Sequence, residues 1–143
     1  SHYKLLLIGP DEESLIERKK YNEHAGIHYI PYTKEAAKYI YACDAFVSPS
    51  YKEGLPMALL QALSLNAKVF ASDVYGNNDL VEHEVNGYLH PVRDWATLYR
   101  QIHCAMEGNI KCLVPGYHER IRRDYDRRVF KQHFRNYIRA LKG

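Results

Sequence analysis

Glu53, Gly54 and Gln61 lie in a stretch, Ala45 to Leu65, whose residue types and spacing suit the capture of an anion. A short apolar run, Ala45-Phe46-Val47, leads into Ser48-Pro49-Ser50 and then a polar loop carrying Glu53-Gly54. A strongly apolar helix is predicted to open at Pro56. Proline at the first helical position gives up only an N–H that has no intrahelical partner, and its fixed φ suits the helix. Gly54 lets a ligand approach the backbone where a Cβ would stand in the way. The free N–H groups of the first turn and the positive end of the helix dipole then face whatever lies beyond the strand. A phosphate or diphosphate suits that place best. Glu53 falls at the mouth of such a site, and Gln61 about a turn and a half further along the helix. Strand–loop–helix joints with Gly and Pro also serve as plain scaffolding in α/β proteins, so geometry alone leaves both readings open.

The elements that would hold this stretch alternate along the chain. Lys4 to Ile8 is a continuous apolar run ended by Gly9-Pro10, as expected of a strand buried on both faces of a parallel sheet. Asp11 to about Asn22 reads as a helix, acidic near its start and basic near its end. Ile27 to Ile30 is the next strand, closed by Pro31. Thr33 caps a helix running to about Ala42, with Ala36, Ala37, Ile40 and Tyr41 as its buried stripe. After the Ala45–Val47 strand and the Pro56 helix come a strand at Val69-Phe70-Ala71 and a turn at Tyr75 to Asn78. A short helix from Asp79 to about Glu84 follows, and Asn86-Gly87 turns into the strand Tyr88-Leu89-His90. Asp94 to Met106 returns to helical spacing, with Trp95, Leu98, Ile102 and Met106 inward; Glu107 to Gly116 is a loop. From Tyr117 to about Leu141 a basic helical segment, one helix or two, carries Ile121, Tyr125, Phe130, Phe134, Tyr137, Ile138 and Leu141 as a stripe. Strands alternating with helices at this spacing define an α/β fold, a Rossmann-like parallel sheet with flanking helices and right-handed crossovers. In such a sheet the ligand lies beyond the carboxyl ends of the strands, which gathers Gly9-Pro10, Ile30-Pro31-Tyr32, Ser48 to Glu53 and Asp73 to Asn78.

Composition narrows the classes. At 143 residues the chain is one domain, and with 46% hydrophobic and 26% charged residues it is globular rather than disordered. No apolar run reaches the length of a membrane span and no signal peptide is visible. The three cysteines, Cys43, Cys104 and Cys112, lack metal-type spacing, and a reducing cytoplasm suits them better than a disulfide framework. Tyr117 to Lys142 holds nine Lys or Arg against three Asp or Glu. A solvated helix face explains that surplus, and attraction to an anionic membrane surface is the competing reading. Nucleic-acid binding lacks any accompanying recognition motif. A hydride-transferring Rossmann enzyme is disfavoured, because no Gly-x-Gly-x-x-Gly follows a strand.

The run Glu-Gly-Leu-Pro-x4-Gln-Ala from Glu53, preceded by Ser48-Pro49-Ser50 and followed by Ala67 to Asp73, resembles a known family. It is similar to the C-terminal, nucleotide-sugar-binding domain of retaining GT-B-fold glycosyltransferases, in the group 1, sucrose-synthase-like and mannosyltransferase-like family. Gly9-Pro10, Ile30-Pro31-Tyr32, Tyr75-Gly76-Asn77-Asn78-Asp79 and Asn86-Gly87-Tyr88-Leu89 match further family positions in order, over roughly Leu5 to Gln101. The departures are Gln61 in place of the second Glu of the family's pair, Pro31 where a Gly is usual, and Asp79 for a Glu.

The resemblance implies that residues 3–143 are a donor-binding domain, whose 117–142 stretch is the basic helical segment; Ser1-His2 precede the first periodic residues without joining them and read as a tag remnant. It implies that Glu53 contacts donor-sugar hydroxyls and steadies positive charge at the anomeric carbon. Gly54 and Leu55 would offer N–H groups to the diphosphate, and Gln61 would bond the ribose without the charge-assisted strength of a carboxylate. Gly9, Ile30, Pro31, Tyr32, Ser50, Pro56 and Gly76 complete the expected nucleotide-sugar site. No cofactor or metal is expected, since no Asp-x-Asp triplet is present and helix N–H groups with basic side chains can neutralise the diphosphate. The family's first strand, with its Arg and Lys, and the acceptor-binding N-terminal domain have no counterpart before Leu5. On that reading the parent transfers a sugar to a glycan or lipid-linked glycan acceptor, in the cytoplasm or at the inner membrane face, and this chain alone is inactive. The alternative is a non-catalytic nucleotide-binding or interaction module derived from such a domain.

Overall fold

The computed structural model describes residues 3–9, 25–109 and 114–126, together with 128, 129, 132 and 136. The helix expected over 11–22 and most of the segment beyond 126 lie outside the described residues. Two units are separable, residues 1–39 and 40–143, and each is described by itself.

In the first unit, β1 (Leu5–Ile8) pairs in parallel with β2 (Ile27–Ile30), Leu5 opposite Ile27 and Ile8 opposite Ile30. Gly9 continues the ladder, its N–H donating to the Ile30 carbonyl at 3.3 Å, while the Tyr29 hydroxyl donates to the Gly9 carbonyl at 2.7 Å. Thr33 Oγ1 accepts the Glu35 N–H at 3.1 Å, and α1 (Ala36–Ala42) follows, bridging the two units. Of its expected stripe only Ile40 is buried. Tyr41 is 78% exposed, a correction that follows from its lying about 100° round the helix from Ile40.

The second unit is a three-stranded parallel sheet in the order β3 (Phe46–Ser48), β4 (Val69–Ser72), β5 (Tyr88–His90). The single sheet anticipated from the alternation is thus present as two ladders among the described residues. Strand β4 is central and every residue in it is buried. Its period of two sends Val69 and Ala71 to one face and Phe70 to the other. Val69 and Ala71 meet Leu59, Ala62 and Leu63 of α2 (Met57–Ser64), Leu80 of α3 (Asn77–Leu80) and Ile121 of α5 (Tyr117–Asp124). Phe70 stacks on Tyr88 and packs against Leu98 and Ala105 of α4 (Trp95–Met106).

Several boundaries differ from expectation, each for a local reason. Helix α3 is Asn77–Leu80 rather than 79–84. The Val74 carbonyl accepts the N–H groups of Asn77 and Asn78 and starts the turn early, and Asn86 Oδ1 takes the Glu82 N–H at 2.7 Å beyond its end. Trp95 is 51% exposed, not inward, because it stands on the first turn of α4 past the strand ends that Leu98 and Ile102 cover. The first helix of the basic segment stops at Asp124; Arg122 Nε donates to the Ser64 carbonyl at 2.6 Å, satisfying a terminal acceptor of α2. Part of the basic surplus therefore serves packing. Cys43 and Cys104 are free thiols.

Asp94 caps α4, Oδ1 accepting the Thr97 N–H at 3.0 Å and Oδ2 the Thr97 hydroxyl at 2.7 Å. These bonds, the hydroxyl's first, hold its carboxyl below the ordinary 3.8. A depressed folded value means the cap stabilises above pH 3.8 and is lost as pH falls through the lower folded value. Asp94→Ala is therefore expected to lower the melting temperature at neutral pH and to flatten the acid limb of a melting profile taken by circular dichroism. An acid limb as steep as that of the unsubstituted chain would exclude the cap as its source.

Candidate functional site

Because β3, β4 and β5 are parallel, the loops after all three leave from one edge of the sheet. The loop after β3, residues 49–56, carries most of the predicted site. Ser50 Oγ donates to Glu53 Oε1 at 2.6 Å, so that hydroxyl is committed to orienting the half-buried acid. Pro56 is buried and takes the N-cap place rather than the first helical position: its φ of −75° and ψ of 93° are extended, and its carbonyl accepts the Leu60 N–H at 3.0 Å. The first-turn N–H groups of α2, on Met57, Ala58 and Leu59, accordingly have no acceptor within the helix. The N–H groups of Gly54 and Leu55 also donate to no group among the described residues. Leu55 and Met57 are 56% and 65% exposed, large apolar side chains beside open amides. Gln61 is exposed on α2, and its side-chain amide has no partner among the described residues.

The loop after β4 closes on the same place. Gly76 has φ +89° and ψ −46°, and a Cβ there would stand 2.3 Å from the Gly54 carbonyl oxygen and 3.0 Å from that of Glu53. Only glycine permits both the conformation and the approach. Asp73 Oδ1 accepts from Asn78 Nδ2 at 3.0 Å, bracing the turn. From the loop after β5, the Arg93 guanidinium lies 5.2 Å from the centroid of the Tyr51 ring, adding a positive charge at this edge. Arg93 has φ +65°, in the left-handed region unusual for a non-glycine residue.

The structure thus brings together Ser50, Glu53, Gly54, Leu55, Pro56, Gln61 and Gly76. Gly9, Ile30, Pro31 and Tyr32 belong to the other unit, where Gly9 and Pro31-Tyr32 stand at the carboxyl ends of β1 and β2 and Tyr32 is 69% exposed. Sequence reasoning gave no role to Ser72 or Arg93, and named Asn77 only within the Asp73–Asn78 loop. Ser72 and Asn77 carried a signal, polar residues at the end of an apolar strand and directly after a glycine; Arg93 carried none.

Comparison with solved structures gives the same architecture. The Anabaena protein HepE in complex with UDP-glucose superposes with a TM-score of 0.82 at 17% identity, covering 96% of this chain and 41% of that one. Sucrose-phosphate synthase from Thermosynechococcus elongatus gives 0.82 at 24% identity, covering 96% and 38%. The fold is that of GT-B glycosyltransferases. Residues 1–122 match the model of the glycosyl transferases group 1, and the chain belongs to that family. Among curated relatives, N,N'-diacetylbacillosaminyl-diphospho-undecaprenol alpha-1,3-N-acetylgalactosaminyltransferase of Campylobacter jejuni is 25% identical over 103 residues, 72% of this chain and 27% of its own length. The UDP-Gal:alpha-D-GlcNAc-diphosphoundecaprenol alpha-1,3-galactosyltransferase of Escherichia coli is 43% identical over 53 residues, 37% of this chain and 14% of its own. The chain therefore spans about a quarter or less of the length of these two relatives.

Proposed function

We propose that residues 3–143 form the donor-binding domain of a retaining glycosyltransferase whose substrate is a nucleoside-diphosphate sugar. The observation that carries this reading is the set of N–H groups at Gly54, Leu55 and the first turn of α2 that have no partner among the described residues, beside a carboxylate that Ser50 holds in place. The diphosphate accepts from those amides, in the field of the helix dipole and without a metal. Glu53 meets the sugar, bonds its hydroxyls and steadies the positive charge that grows at the anomeric carbon as the leaving diphosphate departs. Gln61 bonds the ribose. The acceptor, a glycan or a lipid-linked glycan, is held by another domain of the intact protein, and this chain alone transfers nothing. Relatives that act on diphospho-undecaprenol-linked sugars support that acceptor class. The exposed arginines of α5, Arg120, Arg122 and Arg123, make a basic surface suited to an anionic membrane face.

A nucleotide titration tests the reading, comparing UDP, GDP and ADP by NMR. Amide shifts clustering at Ser50 to Gln61 and Gly76 to Asp79 for one nucleotide are expected. Silence from the intact protein at millimolar nucleotide sinks the glycosyltransferase reading.

One observation favours the second reading, a non-catalytic nucleotide-binding module: the neutral, unpartnered amide at Gln61. Gln61→Glu in the intact protein separates the two. A gain in turnover of about tenfold, the scale of a charge-assisted bond, marks a degenerate domain; a change under about twofold marks a tolerated variant.

A further inference from the structure

Strand β4 reaches Glu53 without touching it. Asn77 Nδ2 donates to the Ser72 carbonyl at 3.0 Å and to Ser72 Oγ at 3.2 Å. The Ser72 hydroxyl donates to the carbonyl of Ser50, and Ser50 Oγ donates to Glu53 Oε1. A hydroxyl has one proton, so with Nδ2 as its donor Ser72 is left to point that proton at the loop after β3. Ser72 and Asn77 are 1% and 0% exposed, polar side chains in an apolar core, a placement that is costly unless each makes its bonds. Gly76 presses the same loop from the side, its missing Cβ leaving room for the Gly54 and Glu53 carbonyls.

We infer that Ser72 and Asn77 are positioning residues for Glu53, fixing through the Ser50 backbone where the acid's carboxylate stands. The inference rests on the proposed role of Glu53. Ser72 contributes no atom to the ligand; it sets the height of the loop above the sheet, and Asn77 sets the direction of the Ser72 hydroxyl.

A double-mutant cycle on sugar transfer by the intact protein tests it. Ser72→Ala is expected to lower kcat by about tenfold to a hundredfold, as a misplaced reacting group does, with donor KM within about threefold. Ser72→Thr, which keeps the hydroxyl, restores most of the rate. In a Glu53→Gln background Ser72→Ala adds less than about twofold, because the residue it positions is already disabled. Asn77→Leu is the second variant: it removes the donor to Ser72 together with Asn77 Oδ1, which is buried without a partner among the described residues, and is expected to lower kcat in the same direction as Ser72→Ala, with a melting profile run beside it to separate a loss of fold. Equal losses with and without the Glu53 carboxylate overturn the inference and leave the functional reading standing. Full activity of Glu53→Gln alone overturns both.

Discussion

Glu53→Gln in the intact protein is expected to cut kcat for sugar transfer by roughly a hundredfold to a thousandfold, the scale for removing one preorganised electrostatic partner from a developing charge. Glutamine keeps the shape of the side chain and an oxygen that can accept from the Ser50 hydroxyl, so the loop has no reason to move. What disappears is the negative charge. Nucleotide affinity is expected to stay within about threefold, because uniform binding and transition-state stabilisation separate in this way. The amides proposed to hold the diphosphate, at Gly54, Leu55 and the start of α2, are not touched by the substitution. Rates from radiolabelled donor and affinities from calorimetry check the two halves. A parallel loss of both assigns Glu53 to loop structure, and an unchanged rate removes it from the chemistry.

Gly76→Ala is expected to be the most disruptive single-methyl change in the site. The new Cβ has two backbone oxygens within 3.0 Å, and a peptide group cannot swing aside as a side chain's end can. The conformation itself, φ +89° and ψ −46°, is strained for any residue with a Cβ, by about 1–3 kcal/mol. A cost of that size lowers the melting temperature by about 3–10 °C in a chain of this length. The relief available is for the Glu53-Gly54 segment to retreat, carrying the acid off the sugar, and transfer should fall about a hundredfold. Gly54→Ala is the control for stability, since a Cβ there meets nothing within 4 Å and its φ is not positive. A Gly76→Ala protein that melts with the unsubstituted one would remove the close approach as a constraint.

The alternation of apolar runs with helical spacing was enough to locate β1 to β5 and α4, because burial on both faces of a parallel sheet leaves an unmistakable run such as Val69-Phe70-Ala71. The Glu53-to-Gln61 constellation was legible because a strand end, a glycine and a proline-opened helix are all local features. Less legible was anything decided by a partner far along the chain. Trp95 and Tyr41 look apolar, yet their exposure depends on where a neighbouring strand ends and on one step of helical phase. The early start of α3 depends on the Val74 carbonyl and its release on Asn86, neither of which shows in periodicity. Ser72 fell just past the strand expected at Val69 to Ala71, and its bond to Ser50 spans 22 positions. Ser50 was expected at the nucleotide-sugar site, and its bond to Glu53 did not show in the sequence.

Strand β4 has a consequence for how such a domain can change over time. Val69, Phe70 and Ala71 are fully covered and Ser72 is 1% exposed, with an apolar cluster on either side. No position in it is free to drift without disturbing one cluster or the other. The loops that leave the carboxyl edge are mixed: Gly76 and Pro56 are held by close approach and burial, whereas Tyr51, Leu55 and Tyr75 are exposed. A saturation scan should therefore find an intolerant strand joined to loops in which Gly76 is fixed and those three positions are permissive. That contrast lets one frame accept exchange of its exposed loop residues while its centre is inherited unchanged.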